Sequence, residues 1–527
     1  MLNINMLFSE KFPSNKRRYV ILSLLLMTLI CLTAYNINNI RNAGAYYLVN
    51  DRSDLAVWRT LEMKLEDPNL FVNDKLFAMQ YPLFPTVFSR GMNILHRFTD
   101  NVEISYCIAS IILSTVFIMG VFLLTHCITG NYYVTWIVLI LSVFTRRISL
   151  YGDGWGIPLL KPMEIVAAVS PWLMWLLFRS IDNSINIEIF TIIASLFVYV
   201  HPPTAFIILG IGFSIYTVLR YRENGHLKRI IRAVVASVVI LLPFFYGKAQ
   251  TAFDSGPPIY ILLNRAGYAV FPSHETITNA IFYLVVPMIV AVIIYAKIRN
   301  HLSKLAQRYI MGLVISGIAV TIISSFSYLW TGLAKFALPS ASRYLYLPIY
   351  ITLALGIVYL KEFRFTHRII FILSFLIISF QMDTSIFQIG KKQVYGIREK
   401  TVINQYAYNE LGSWAKKNTT PEAVFLVPPH LIDAGFRVRS ARAVVVVNKD
   451  GGNAKYSGAI AKEWFTRMKD VKAAYREGKL STLEAVAHKY SAQYVIVPRR
   501  PDSIVNGAIY KNLDWIVWTV DGIRNVS

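Results

Sequence analysis

The sequence predicts an all-α polytopic membrane bundle of about eleven transmembrane helices with a C-terminal α/β extracytoplasmic domain. Three observations predict it. The chain has 527 residues, of which 55% are hydrophobic and only 16% charged, with mean hydropathy +0.47; a soluble globular protein is nearer ~25% charged. Uncharged runs recur at 104–125, 276–296, 309–330 and 344–360, close to or beyond the ~17–20 residues that cross a bilayer. After residue 382 the pattern changes to short β-branched runs between amphipathic segments, the mark of a packed α/β layer structure. A soluble enzyme, a disordered chain and a fibrous protein are excluded.

The expected spans are 19–40, 104–126, 132–147, 161–179, 187–200, 204–220, 230–246, 276–297, 309–330, 344–360 and 368–381. Lys11, Lys16, Arg17 and Arg18 precede the first, which places the N-terminus in the cytoplasm. That span has the look of a signal peptide, but no small-x-small site follows Leu24-Leu-Leu-Met, so it reads as an uncleaved anchor. Alternating the loops from there gives the cytoplasmic side a net charge of +12 and the outer loops before residue 382 only +2. Much of the total of +23 is thus topological, and no nucleic-acid partner is expected. The three cysteines, Cys31, Cys107 and Cys127, lie in or beside apolar runs, so no disulfide scaffold is expected. The expected location is the plasma (inner) membrane, multi-pass, with the C-terminal domain outside.

Two outer segments stand apart: 41–103 joins spans one and two, and 382–527 forms the second domain beside a membrane domain of 1–381. In the first, Leu55, Trp58, Leu61 and Leu65 follow a helical period, and a second amphipathic stretch runs from Pro85 to Phe98; both are expected at the membrane surface. In the second, helices are expected over 401–417, 457–476 and 481–490. Strands are expected at Ala423–Val427, Val444–Val447, Tyr494–Val497 and Trp515–Val520. No glycine-rich phosphate loop follows any of these strands.

Chemistry-bearing residues concentrate in the outer loops. Asn50-Asp-Arg-Ser-Asp carries Asp51 and Asp54, and Val72-Asn-Asp-Lys carries Asp74; Asp74 reads equally as the cap of a following helix. Tyr151-Gly-Asp-Gly-Trp-Gly centres on Asp153, with Arg146 and Arg147 before it and Lys161 and Glu164 after. A carboxylate at the water–lipid boundary can act as general base on an acceptor hydroxyl. Cations nearby can stabilise a phosphate leaving group, and a second carboxylate can hold a divalent metal. Against this stands the plain reading of each acid as a solvated loop residue, and of Lys161–Glu164 as a pair on one helix face. His201, in His201-Pro202-Pro203, is either part of a turn or a group at the mouth of a cavity that touches phosphate or sugar. Arg343, in Pro339-Ser-Ala-Ser-Arg-Tyr, either snorkels to headgroups or binds a lipid phosphate bidentately. The loop 247–275, with Lys248, Asp254, Arg265, His274 and Glu275, has the length of a lid.

This layout resembles the GT-C superfamily of membrane glycosyltransferases: oligosaccharyltransferase catalytic subunits, protein mannosyltransferases and aminoarabinose transferases. The resemblance covers residues 1–381. It implies that a first-loop acid, Asp51 or Asp54, is the catalytic base or a metal ligand. It further implies that Asp153 binds substrate or a divalent metal (Mg or Mn) as the second-loop acid. Arg146, Arg147, Lys161, His201 and Arg343 would bind the donor. The second outer loop has one acid between glycines and no Asp-x-Asp, and the Trp-Trp-Asp of oligosaccharyltransferases is absent, which points away from transfer to asparagine. The implied partners are a polyprenyl-phosphate-linked sugar, the lipid bilayer, and a glycan, lipid or protein acceptor. The C-terminal part resembles a domain of bacterial GT-C-like membrane proteins through three stretches. These are Trp414 with Asn418-Thr-Thr-Pro-Glu-Ala-Val-Phe-Leu-Val-Pro-Pro, Gly435-Phe-Arg-Val-Arg-Ser-Ala-Arg-Ala-Val, and Glu463-Trp-Phe-Thr-Arg. Phe436 and Trp464 read as core anchors. Arg437, Arg442 and Arg467 read as an anion site or as surface and ion-pair positions. The alternatives to a transferase are a transporter or flippase of lipid-linked saccharides, a polymerase or ligase using the same substrates, and a non-catalytic scaffold. Span centres nearly free of ionisable groups favour surface chemistry over transport.

Overall fold

The computed structural model describes residues 54–144, 162–252, 258, 260–261, 285–326, 344–359, 405–429, 431–499 and 507–524. The expected spans at 19–40 and 368–381 lie outside the described residues.

Three short helices come first: α1 (Asp54–Glu66), α2 (Lys75–Gln80) and α3 (Val87–Thr99). Asp74 caps α2 by accepting from the Phe77 N–H at 3.0 Å, as its position before an apolar turn suggests. α3 stops at Asp100, which turns left-handed at φ 52°, and Asn101 then caps α4 (Val102–Thr129) through the Ile104 N–H. The bundle continues with α5 (Tyr132–Phe144), α6 (Pro162–Ile181), α7 (Ile187–Leu196), α8 (Pro202–Arg220), α9 (His226–Ala252), α10 (Val286–Ile298), α11 (Lys304–Phe326) and α12 (Tyr346–Val358). Four helical stretches among the described residues are long and apolar enough to cross a membrane: Val102–Thr129, Pro162–Ile181, Pro202–Arg220 and His226–Tyr246. Tyr132–Ser142, Ile187–Tyr199 and Tyr346–Val358 are apolar but shorter. Close helix approach depends on small residues. A Cβ added to Gly120 on α4 would lie 2.5 Å from the Trp172 ring of α6, whose indole N–H donates to Val116 O at 2.7 Å.

Beyond the bundle follow α13 (Gln405–Asn418), β1 (Val424–Leu426), α14 (Gly435–Ser440), β2 (Ala443–Val444), a 3-10 turn (Asn448–Tyr456), α15 (Gly458–Glu477), α16 (Leu480–Lys489), β3 (Tyr494–Pro498), β4 (Tyr510–Lys511), β5 (Trp515–Thr519) and α17 (Val520–Arg524). The sheet order is β2-β1-β3-β5-β4; β1 runs parallel to β2 and β3, and β5 antiparallel to β3 and β4. Alternate strand residues face opposite layers. Val424, Leu426, Val495, Ile516 and Trp518 pack with α15 and α16 through Trp464, Met468 and Leu483. Phe425, Ile496, Trp515 and Val517 pack with α13 and α14 through Tyr408, Leu411 and Phe436. This is the expected α/β sandwich, with Phe436 and Trp464 as the expected core anchors. The expected strand Val444–Val447 is shorter than the sequence suggests. Asp450 accepts from the Val447 N–H at 2.9 Å, and Asn448-Lys-Asp-Gly-Gly closes into the 3-10 turn.

The first described segment, 54–99, is part of both bodies. Leu55, Phe88 and Met92 belong to the core of the bundle, with Trp58 packed against it. Ala56 belongs to one layer of the C-terminal sandwich and Leu76 to the other. The apolar stripe of α1, expected at the membrane surface, packs on the bundle through Leu55 and Trp58, while Ala56 beside it packs on the sandwich.

Candidate functional site

Of the expected site residues, Asp54 and His201 are described; Asp51, Arg146, Arg147, Asp153, Lys161 and Arg343 lie outside the described residues. Asp54 opens α1, where a carboxylate is favoured by the helix dipole. Its Oδ1 accepts from Lys449 Nζ of the 3-10 turn at 2.7 Å, with the Asp54 side chain 57% exposed and that of Lys449 21%. Lys449 is presented by a pinned backbone: its own N–H donates to Asp433 Oδ1 at 2.9 Å. The acid expected to do chemistry therefore stands at the seam between the segment 54–99 and the C-terminal sandwich, within reach of solvent.

The same seam holds a buried ion cluster. Arg437 of α14 extends Nε and Nη2 to Asp74 at 2.7 and 3.1 Å, and Nη1 and Nη2 to Asp450 at 2.7 and 3.0 Å. Both acids are buried. The second negative charge is met by backbone donors: Phe77 and Val444 N–H on Asp74, Val447 N–H on Asp450. Burial pushes the Asp450 carboxyl above its ordinary range, and Arg437 pulls part of that shift back. Around the cluster, Asn73 Nδ2 donates to Glu422 O at 2.8 Å, Lys75 pairs with Glu463 at 3.0 Å, and Asn453 donates to Gln80 at 3.2 Å. Arg437 is thus neither a surface residue nor an anion site; its charge is already matched. Arg442 donates to Lys416 O and Thr419 O, and Arg467 to Glu463 and Val445 O. These arginines hold the sandwich together.

A residue the sequence reading missed is Glu62. It lies on the inner face of α1, 1% exposed. Oε1 accepts from Tyr106 Oη of α4 at 2.7 Å, and Oε2 from Arg59 at 2.9 Å. Arg59 also reaches Glu66 at 3.2 Å. Burial pushes the Glu62 carboxyl up to about 7, against the pull of Arg59. Asn93 of α3 donates to Glu62 O at 3.2 Å. The available signal was spacing: Glu62 falls four residues after Trp58 and three before Leu65, on the apolar stripe itself.

His201 is the N-cap of α8. Its ring accepts from the Thr204 N–H, and Nδ1 lies 2.9 Å from Thr204 Oγ1. The turn expected of His-Pro-Pro is present, and the ring is engaged in starting the next helix. A cavity of about 160 Å³ opens elsewhere, between α10, α11 and α12, lined by Met288, Tyr295, Ile310, Met311, Leu345 and Ile349 among others. Among the described residues its lining carries no Asp, Glu, Lys, Arg or His, and it is suited to hydrocarbon.

Among the described residues no group of three or more His, Cys, Asp or Glu is placed to hold a metal. The two close acid pairs, Glu62 with Glu66 and Asp74 with Asp450, are each spanned by an arginine, so neither fits a divalent cation. Asp153, the expected ligand, is outside the described residues.

Residues 406–471 match a family model described as a domain of unknown function, DUF6798. That stretch runs from α13 into α15 and includes Arg437, Lys449 and Asp450. No curated protein matches the sequence. Among solved structures, the chain is similar to the archaeal oligosaccharyltransferase AglB from Archaeoglobus fulgidus, in complex with an inhibitory peptide and a dolichol-phosphate. The TM-score is 0.55 and the identity 13%, over 92% of this chain and 70% of that one. At that identity the likeness is one of fold alone.

Proposed function

We propose that this chain is an integral-membrane glycosyltransferase that takes a sugar from a polyprenyl-phosphate donor and passes it to a hydroxyl of a glycan, lipid or protein on the outer face of the membrane. The observation that carries the reading is the GT-C-type fold over nearly the whole chain. The acid at its first outer helix, Asp54, stands at a solvent-open seam, which agrees with it. The neighbouring structure holds a dolichol-phosphate and a peptide, the kinds of donor and acceptor this reading calls for.

In the proposed step, Asp51 or Asp54 takes the proton of the acceptor hydroxyl. The acceptor oxygen bonds to the anomeric carbon as the bond from that carbon to the phosphate oxygen breaks, and the lipid phosphate leaves with the electron pair. A phosphate is a good leaving group and needs no general acid. Arg343 with Arg146, Arg147 or Lys161 would hold it, with His201 beside the donor, and inversion at the anomeric carbon follows from single displacement. Lys449 Nζ donates to Oδ1 of Asp54, which places a cation beside the carboxylate of this pair of candidate bases. Asp153 is the residue that would hold Mg or Mn if the reaction uses one. The apolar cavity suits an isoprenoid tail.

The test is consumption of a panel of polyprenyl-phosphate sugars by purified protein in nanodiscs, followed by mass spectrometry with and without chelator. Wild type would be compared with Asp51→Asn, Asp54→Asn and Asp153→Asn. Loss on one first-loop substitution in a folded protein supports the reading and names the base. Equal turnover of one donor by wild type and all three variants sinks the site assignment.

A further inference from the structure

The helix α3 has one face inside the protein and one outside. Phe88, Ser89, Met92 and Asn93 are buried. Val87, Arg90, Gly91, Ile94, Arg97 and Phe98 are exposed, and steps of three and four residues put them on one side of the helix. Ile94 is 57% and Phe98 83% exposed. The outward face therefore alternates apolar side chains with arginines. The helix carries no acid, and among the described residues neither arginine makes an ion pair.

Position decides what can cover such a face. Only Asp100 and Asn101 separate α3 from α4, a 28-residue helix apolar enough to cross a membrane. The outward residues of α4, Ile104, Ile112 and Met119, are apolar and exposed, as a lipid-facing surface is. α3 thus lies at the membrane boundary on the side of the C-terminal sandwich, since α1 packs on both α3 and α14.

We propose that the outward face of α3 docks on the phospholipid headgroup layer. Val87, Ile94 and Phe98 enter the acyl boundary, and Arg90 and Arg97 pair with lipid phosphates. Arginine stems are long enough to lie along the apolar surface while the guanidinium stays at phosphate level. The two arginines are two turns apart, roughly 10 Å along the axis, far enough to take separate headgroups. An interfacial helix with basic residues among its apolar ones gains both from burial and from attraction to anionic lipid. The docking fixes more than α3. Asn93 ties α3 to Glu62 of α1, and α1 begins with Asp54. The height of Asp54 above the lipid is then set by α3. That last consequence rests on the proposed function; the docking itself does not.

The experiment uses the full chain in nanodiscs, with Cys31, Cys107 and Cys127 replaced by alanine and a spin label at Ile94→Cys, Phe98→Cys or, as the aqueous control, Leu513→Cys on the C-terminal sandwich. Collision with oxygen relative to a water-soluble nickel chelate reports depth. The ratio at 94 and 98 is expected to be several-fold that at 513. It should also be larger in nanodiscs containing phosphatidylglycerol than in phosphatidylcholine alone, and Arg90→Gln with Arg97→Gln should remove that lipid dependence. A second readout needs no substitution: a photoactivatable phosphatidylglycerol should label the peptide over 87–98 in the unmodified protein. Labels at 94 and 98 as wet as at 513, or shielded from both reagents as under a second protein surface, would overturn the docking. Lipid dependence untouched by the double glutamine variant would overturn the role of the arginines.

Discussion

Removing the Arg437 side chain while keeping its bulk, Arg437→Met, should break the seam between the segment 54–99 and the C-terminal sandwich. The substitution leaves Asp74 and Asp450 facing one another in a buried site and deletes four charge-assisted hydrogen bonds. Three backbone donors remain for two carboxylates, so one acid must bind a proton or the loop must leave. Breaking a buried pair by removing one partner costs about 3–5 kcal/mol. For a unit of this size each kcal/mol is worth roughly 3–5 °C, so an apparent midpoint lowered by roughly 10–20 °C is expected. Trp464, Trp515 and Trp518 are buried in the sandwich core, which makes tryptophan emission during heating the natural assay. The control is the triple variant Arg437→Met, Asp74→Asn, Asp450→Asn, which removes the unpaired charge and should recover much of the loss. An Arg437→Met protein with an unchanged midpoint would refute the reasoning, as would a triple variant no better than the single.

Glu62 supplies a pH prediction. Its carboxyl is raised by burial from 4.5 to about 7, so the folded protein holds a proton that the unfolded chain releases. The stabilisation is full below about pH 4.5 and is lost as pH rises through about 7. Its size is of order 3 kcal/mol, and Glu62→Gln should flatten the dependence of thermal midpoint between pH 5 and 8. The Asp54–Lys449 pair is only partly buried, so Lys449→Gln should change stability by about 1 kcal/mol or less. Under the proposed function it should nevertheless lower kcat/KM about three- to tenfold, corresponding to roughly 1 kcal/mol of lost charge interaction, with Lys449→Arg retaining most of the activity. Gly120→Val places a side chain against Trp172; it should destabilise the α4–α6 contact by about 1–3 kcal/mol, seen as earlier loss of monodispersity on heating in detergent.

What the sequence made legible follows from the range of the forces involved. Local patterns report local structure. The cap at Asp74, the turn at His201, the periodic run from Leu55 and the strands at 423–427, 494–497 and 515–520 are each decided by neighbours within a turn or two. The structure has all of them. The two-residue β4 and the six-residue α14 went unread because neither is long enough to show a period. The arginines were the hardest. Arg437 meets Asp74 across 363 positions of chain, and nothing in Gly435-Phe-Arg-Val-Arg distinguishes a guanidinium bound for the core from one bound for water. Glu62 was half legible, since an acid on an apolar stripe is a contradiction that only a partner resolves. The partners, Tyr106 and Arg59, lie on another helix and one turn away.

The seam also bears on what the C-terminal sandwich is for. A domain hung on a bundle as an accessory would close its own core. This one does not: Leu76 and Ala56 complete its two layers, and Asp74 is one of the two buried carboxylates that bind Arg437. The segment 54–99 is therefore a shared part, packed on the bundle through Leu55, Phe88 and Met92 and on the sandwich through its neighbouring residues. Any displacement of the sandwich must drag α1 and α2 with it, and with them Asp54. If Asp54 is the base, the sandwich holds it in place together with α3, and variants at Arg437 should alter turnover in proportion to the loosening of α1 rather than through any contact with substrate. Hydrogen exchange of the peptide 54–66 measured beside turnover distinguishes the two. Turnover lost with α1 exchange unchanged would mean that Arg437 acts elsewhere.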